Sequence, residues 1–367
     1  MSRDVLPTLG ISMGDPGGIG PEILVKALAD RSVRRLARWR IYGCGGALHR
    51  AAETAAIEPA WWRVPAGDEA LIETALGHDV LLVDYDADAD RRWAATDREE
   101  NGAMSFALVE AAIKDAKRPE RDPRRTDGFV TGPISKLAWS LAGRGRWPGH
   151  TELIGARFGA KRFGMMFVTP RLRVILATAH VPLMEVRNVL TIGKVHEAID
   201  LGAEACGRLG LPRPRIAVWG LNPPEGEAGL LGGEEERLIK PAIDIARGQG
   251  LEVTGPHPGD TVWNAAVAGK HDLVVAMYHD QGLIPVKLLD RDEGVNVTVG
   301  LPTVRTSPDH GTAFNIAGKN RADAGSMISA MGLAARMALG SAAGPITKPA
   351  ADSTDPAGGP SRDAARA

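Results

Sequence analysis

The chain is predicted to fold as a two-domain α/β protein, and three observations carry that expectation. Its 367 residues exceed what one hydrophobic core comfortably holds. Short apolar runs such as Val80-Leu81-Leu82-Val83 and Leu273-Val274-Val275-Ala276-Met277 have the length of strands buried on both faces. Between such runs lie stretches of helical length and period, so strands and helices alternate as they do around a substantially parallel sheet.

Residues 6–13 read as a buried strand running into Gly14-Asp15-Pro16-Gly17-Gly18-Ile19-Gly20-Pro21-Glu22. Pro21 suits a first helical turn, and residues 23–28 continue with apolar positions at helical spacing. Residues 37–43 form the next expected strand, followed by an alanine-rich helix to about Ala55 and a third strand at 80–83. Residues 101–117 make an amphipathic helix through Ala103, Phe106, Ala107, Ala111 and Ile113, and the charged, proline-containing stretch 118–126 reads as a solvated connector. Strands are expected at 129–133, 163–168, 174–177, 216–219 and 273–277, with helices at 192–209, 238–250 and 324–337. The end of the chain is small, polar and proline-rich, as a flexible tail is. No internal repeat is visible.

Composition narrows the function. With 44 basic and 45 acidic side chains and only 5% aromatics, nothing argues for a nucleic-acid partner. Cys44 and Cys206 lie far apart and in no metal-spaced motif, which fits reduced thiols. No apolar run reaches the roughly 18 residues of a membrane span. A cytoplasmic location is expected, with no membrane partner.

Four polar islands end or interrupt apolar runs: Gly149-His150-Thr151-Glu152, Ala179-His180-Val181-Pro182, Tyr278-His279-Asp280-Gln281 and Asp309-His310-Gly311-Thr312. His180 and His279 each follow a strand candidate, so their imidazoles are able to meet at one divalent cation, with carboxylate or water completing the shell. Glu225 and Asp280 are carboxylates for that shell or for anchoring it. His150, Thr151, Lys287, Asn296 and Arg305 suit an anionic substrate, because Lys brings a mobile charge and Arg a bidentate fork. Lys287 with Asp260 offers a proton-transfer unit, although Asp260 is equally a helix cap for the segment starting at Val262. The loop Asp309, His310, Gly311 and Thr312 is a candidate for the adenosine end of NAD, with a helix starting at Phe314. The glycines between Gly14 and Gly20 match neither dinucleotide nor phosphate-loop fingerprints, and either make a plain turn or line the cleft, with Asp15 as cap or orienting group. Such a set suits alcohol oxidation beside a Lewis acid that also stabilises enolate charge during decarboxylation.

At these residues the chain resembles the bacterial 4-hydroxythreonine-4-phosphate dehydrogenase family of pyridoxal phosphate biosynthesis. The likeness runs from about Leu6 to Leu339 and includes the glycine-rich turn, Gly149-His150-Thr151-Glu152, Tyr278-His279-Asp280-Gln281-Gly282, Val295 to Pro302 and Arg305 to Ala313. The resemblance implies an isocitrate/isopropylmalate dehydrogenase-like two-domain α/β/α fold and a homodimer with a shared active site. It also implies a divalent metal (Zn, Mg or Co) and NAD or NADP. Residues 1–128 with 296–345 would form the first domain, which carries the cofactor loop. Residues 129–295 would form the second, with metal and dimer elements, and residues 346–367 the tail. Substrate contacts carry over to His150, Thr151, Lys287, Asn296 and Arg305, and metal ligands to His180 and His279. The family's third metal histidine falls on Pro224, so Glu225 compensates, water fills the place, or metal-dependent activity is weakened. The implied reaction is NAD-dependent oxidation and decarboxylation of 4-phosphooxy-L-threonine to 3-amino-2-oxopropyl phosphate. Alternatives are oxidation of D-threonate or D-erythronate 4-phosphate, oxidation of an aromatic cis-dihydrodiol dicarboxylate, or binding by a catalytically impaired homologue.

Overall fold

A computed structural model describes residues 6–223 and 231–340. Its strands are Thr8–Ser12 (β1), Arg38–Gly43 (β2), Trp62–Pro65 (β3), Val80–Asp84 (β4), Gly128–Thr131 (β5) and Gly164–Val168 (β6). The chain continues with Arg173–Leu176 (β7), Ile216–Trp219 (β8), Val253–His257 (β9), Leu273–Ala276 (β10), Val295–Val299 (β11) and Val304–Pro308 (β12). All belong to one 12-stranded sheet in the order β3-β4-β2-β1-β5-β12-β11-β6-β7-β10-β8-β9. The longer helices packed on it are Gly20–Ala29 (α1), Gly45–Ala55 (α2), Glu99–Ala116 (α3), His150–Phe158 (α4), Ile192–Arg208 (α5), Lys240–Gly248 (α6), His279–Asp290 (α7) and Gly325–Leu339 (α8).

The α/β class is as the sequence predicts, but the sheet is not uniformly parallel. A parallel block from β3 to β12 and another from β7 to β9 flank a seam in which β11 runs antiparallel to β12 and β6, and β6 antiparallel to β7. The reason lies in the links. Only residues 300–303 join β11 to β12, and only 169–172 join β6 to β7. A parallel pair needs a crossover of a dozen or more residues, so such short links enforce hairpins.

The seam also moves the division of the chain. Residue 129 lies inside β5, which pairs with β1 and β12 in the first block, and residue 296 lies inside β11. Phe158 of α4 stacks on Phe129 of β5, and Trp139 packs edge-on against Phe106 of α3 at 5.1 Å. The chain therefore leaves the first block after α4, where it enters β6.

Other expectations shift for local reasons. The 118–126 connector is not simply solvated, because Arg124 is buried and reaches Asp115. Residues 314–320 make turns, so no helix starts at Phe314, whereas the helix expected at 324–337 forms as Gly325–Leu339. Pro285 inside α7 and Pro256 inside β9 mask both elements in the sequence pattern. Proline is tolerated there because β9 is the outermost strand. Among the described residues no helix is long and apolar enough to cross a membrane. The expected tail lies outside the described residues.

Strand alternation builds the floor of a trench. Register pairs Asn296 with Phe167 and Ser307, Thr298 with Met165, and Arg305 with Phe129, so these side chains share one face of the seam. On that face α4 covers the first block, its Phe158 stacked on Phe129 at 6.5 Å. Over the second block α7 buries Leu283 and Val286 against β7 and β10. The strip between the two helices is left open.

Candidate active site

The open strip is a cleft of about 340 Å³. It gathers His150, Thr151, His180, His279, Lys287 and Asn296, and with them Arg305, Asp309, His310 and Gly311. Glu152 of the first polar island lines it too, as do Lys136, Thr131 and Ser307, to which the sequence assigns no binding role. Their signal was weak: Ser307 and Thr131 declare themselves only through strand alternation against Arg305.

Arg305 is the most unusual of these groups. It is 1% exposed, and its guanidinium donates to two neutral hydroxyls, Thr298 Oγ1 at 3.0 Å and Thr131 Oγ1 at 2.7 Å, while Nε is buried without a partner. Burial pushes its pKa down to about 10, opposed by the charge of Glu152. Around it His150 Nε2 and Asn296 Oδ1 are also buried and unpartnered. Burial, helped by the charges of Arg305 and Lys136, holds the His150 imidazole well below its ordinary pKa, so it is neutral. The first turn of α4 faces the same space through Gly149, His150 and Thr151, and no side chain caps it. A helix N-terminus of this kind attracts anions.

The opposite wall carries the metal candidates. His180 and His279 have ring centres 5.8 Å apart, tilted by 35°. Two imidazoles on one tetrahedral zinc would have centres about 5 Å apart, so the pair needs only a small shift to share an ion. The Nδ1 of His279 lies 2.7 Å from Asp280 Oδ1, and the Nδ1 of His180 lies 3.9 Å from Glu152 Oε1, an ion-pair contact too long for a hydrogen bond. Both rings thus turn Nδ1 toward a carboxylate, as metal-binding imidazoles do. His180 draws the Glu152 carboxyl below its ordinary pKa. Among the described residues no group of three His, Cys, Asp or Glu gathers around a metal-sized space, and Glu225 and Pro224 lie outside the described residues.

The expected pairing of Lys287 with Asp260 is not formed within this chain. Lys287 Nζ lies 3.3 Å from Asp309 Oδ2, and burial raises the Asp309 carboxyl against the pull of Lys287. Asp260 instead lines a separate cavity with Trp219, Trp263 and Gln281, on the other side of α7. It does not cap the segment at Val262, whose N-cap is Thr261.

Of the four loop residues assigned to a dinucleotide, Asp309 and His310 line a second cleft of about 960 Å³, together with Ile19, Ala313, Ile316 and Ser326. This cleft shares His279, Lys287, Asp309 and His310 with the first. Gly311 lines the smaller cleft, and the Thr312 carbonyl accepts from the Ile19 backbone at 2.9 Å. The glycine-rich turn is a junction between segments. Gly14 has φ of 87° against Pro133, and a Cβ on Gly17 would lie 2.0 Å from Ala94 O. Asp15 accepts from Gly17 N and Asn101 rather than capping α1, and burial raises its pKa to about 6.

Residues 41–334 match the family model described as pyridoxal phosphate biosynthetic protein PdxA. The chain is 42% identical over 334 residues to a 4-hydroxythreonine-4-phosphate dehydrogenase of Geobacter metallireducens, covering 90% of this chain and 96% of that one. It is 40% identical over 338 residues to a D-threonate 4-phosphate dehydrogenase of Cupriavidus necator, covering 91% and 98%. The crystal structure of 4-hydroxythreonine-4-phosphate dehydrogenase from Klebsiella pneumoniae superposes with a TM-score of 0.78 at 35% identity, covering 92% of this chain and 100% of that chain.

Proposed function

Because the chain belongs to the PdxA family of pyridoxal phosphate biosynthetic proteins, we propose that the cleft over Arg305 oxidises a phosphorylated hydroxy acid. It is an oxidoreductase of the 4-hydroxythreonine-4-phosphate dehydrogenase type. The leading substrate is 4-phosphooxy-L-threonine, converted to 3-amino-2-oxopropyl phosphate in pyridoxal phosphate biosynthesis. D-threonate 4-phosphate is the second reading, favoured by relatives of that name at 40% and 39% identity.

The observation that carries the proposal is the buried guanidinium of Arg305 with only hydroxyl partners. A charge taken out of water without a counterion is costly, and a dianionic phosphate removes that cost. His150, Thr151 and the first turn of α4 add neutral donors on the same side, and Asn296 orients the acid's polar carbons. Lys287 lines the same cleft and contacts Asp309, so it acts as the base on the substrate hydroxyl after its own ammonium proton has passed to that carboxylate. Burial raises the proton affinity of the Asp309 carboxylate, which takes up the lysine proton and releases it toward solvent.

A transition metal held by His180 and His279 would supply Lewis acidity toward the substrate oxygen. Two imidazole donors favour zinc or cobalt over magnesium. NAD or NADP in the adjoining cleft would supply the hydride acceptor. Loss of proton and hydride from the alcohol leaves a 3-oxo acid, and a carboxylate β to a ketone departs as carbon dioxide. Ile284 and Leu288 on the outer face of α7 are 65% and 81% exposed beside the cleft, which supports a homodimer sealing the site from that side.

The test is a panel of 4-phosphooxy-L-threonine, D-threonate 4-phosphate and their unphosphorylated parents, followed by NADH absorbance. Turnover confined to phosphorylated acids is expected. Equal rates on the unphosphorylated parents would remove Arg305 from its assigned role.

A further inference from the structure

A cavity of about 300 Å³ lies behind the glycine-rich turn, between α1, α2 and the loops at 92–95 and 317–320. None of its lining residues lines the cleft over Arg305 or the larger cleft beside it. One wall is acidic. Glu22 is 5% exposed and its Oε1 accepts from Lys26 Nζ at 2.8 Å and from Ala322 N at 2.7 Å, which leaves a buried Oε2 with no partner. Arg50, half-buried, and Arg92, exposed, also line the cavity. Arg50 is fixed by the carbonyls of Ala89 and Arg91, whereas Arg92 has no ion pair among the described residues. Trp93 lies alongside, its Nε1 buried and also without a partner.

The walls are rigid by construction. The backbone of the 86–97 loop rests directly on Gly17 and on Gly46, where a Cβ would meet Ala89 O at 2.2 Å. A cavity lined both by an unpaired carboxylate oxygen and by guanidinium groups has the polarity of a small bipolar solute.

We propose that this cavity is a second small-molecule site, for a compact phosphate or carboxylate whose far end carries an N–H or O–H donor. The anion lies against Arg50 and Arg92, the donor reaches Glu22 Oε2, and the acceptor groups of the solute take the Trp93 N–H. The proposal does not depend on the substrate assigned to the cleft over Arg305.

The test is titration calorimetry of the full chain with O-phospho-L-serine, in a background where the main cleft is disabled by Arg305→Met. His150→Ala is the alternative background should that chain fail to fold by circular dichroism. Binding of one equivalent in that background is expected, weakened at least tenfold by Arg92→Ala and again by Glu22→Gln. Inorganic phosphate, which lacks the ammonium, is expected to bind more weakly and to ignore Glu22→Gln. No binding in either disabled background, or binding indifferent to both Arg92→Ala and Glu22→Gln, overturns the proposal.

Discussion

Two buried charges in this molecule are finished differently. Asp115, on α3, is 5% exposed and fully matched: Tyr42 donates to it at 2.8 Å, Arg118 at 2.6 Å, and Arg124 stands 3.8 Å away. Arg305 is buried as deeply, yet its partners are two threonine hydroxyls and its Nε has none. The first charge is complete within the chain and locks α3 to β2 and to the 118–126 loop. The second is complete only when something anionic arrives. Burial alone therefore does not separate structural from functional charges; the state of the partners does.

Replacing each charge sharpens the contrast. Arg305→Met should lower kcat/KM by about 10²–10³-fold, the cost of losing a buried charged contact to substrate. The same change should leave the fold as stable or raise its melting temperature, since an uncompensated buried cation gives way to an apolar chain of similar size. A loss of stability would show that Arg305 is structural after all. Asp309→Asn should come next, lowering kcat about 10²-fold with little change in KM and flattening the acid limb of the kcat–pH profile. An unchanged profile would detach Asp309 from proton transfer.

Asp115→Asn should act in the opposite sense, costing about 3 kcal/mol in urea unfolding while kcat per folded molecule is kept. The smallest effect concerns His150. The unfolded chain takes up this proton near pH 6.5, whereas the native imidazole, held well below its ordinary value, does not. The unfolded state then binds more protons, so stability falls as pH drops below 6.5. His150→Gln should flatten that fall by up to about 1.4 kcal/mol per pH unit, read from unfolding curves at pH 5 and 7. An identical slope would place His150 in contact with water.

Much of the site was legible because its residues stand out from apolar runs. His180 and His279 end strand-like stretches, and Arg305 sits within one, where a charge is conspicuous. Asp260 carries the same signal, but a polar residue after a glycine marks a turn or a site without saying which cleft it faces, and within this chain it lines the cavity beside Trp219. Lys136 carried no such contrast, since a charged residue at the start of a helix is ordinary.

The chain's own order of residues determined the α/β class, the strands that are buried on both faces and the family to which it belongs, because period, length and rare motifs are local properties. Only the tertiary structure decided that Lys287 meets Asp309 rather than Asp260, and that Arg305 lies over Thr131 and Thr298. It also decided that the parallel blocks join through an antiparallel seam. Those outcomes follow from register and from which face of the sheet each helix covers, and partners separated by more than a hundred residues, such as Arg305 and Thr131, leave no periodic trace in the sequence.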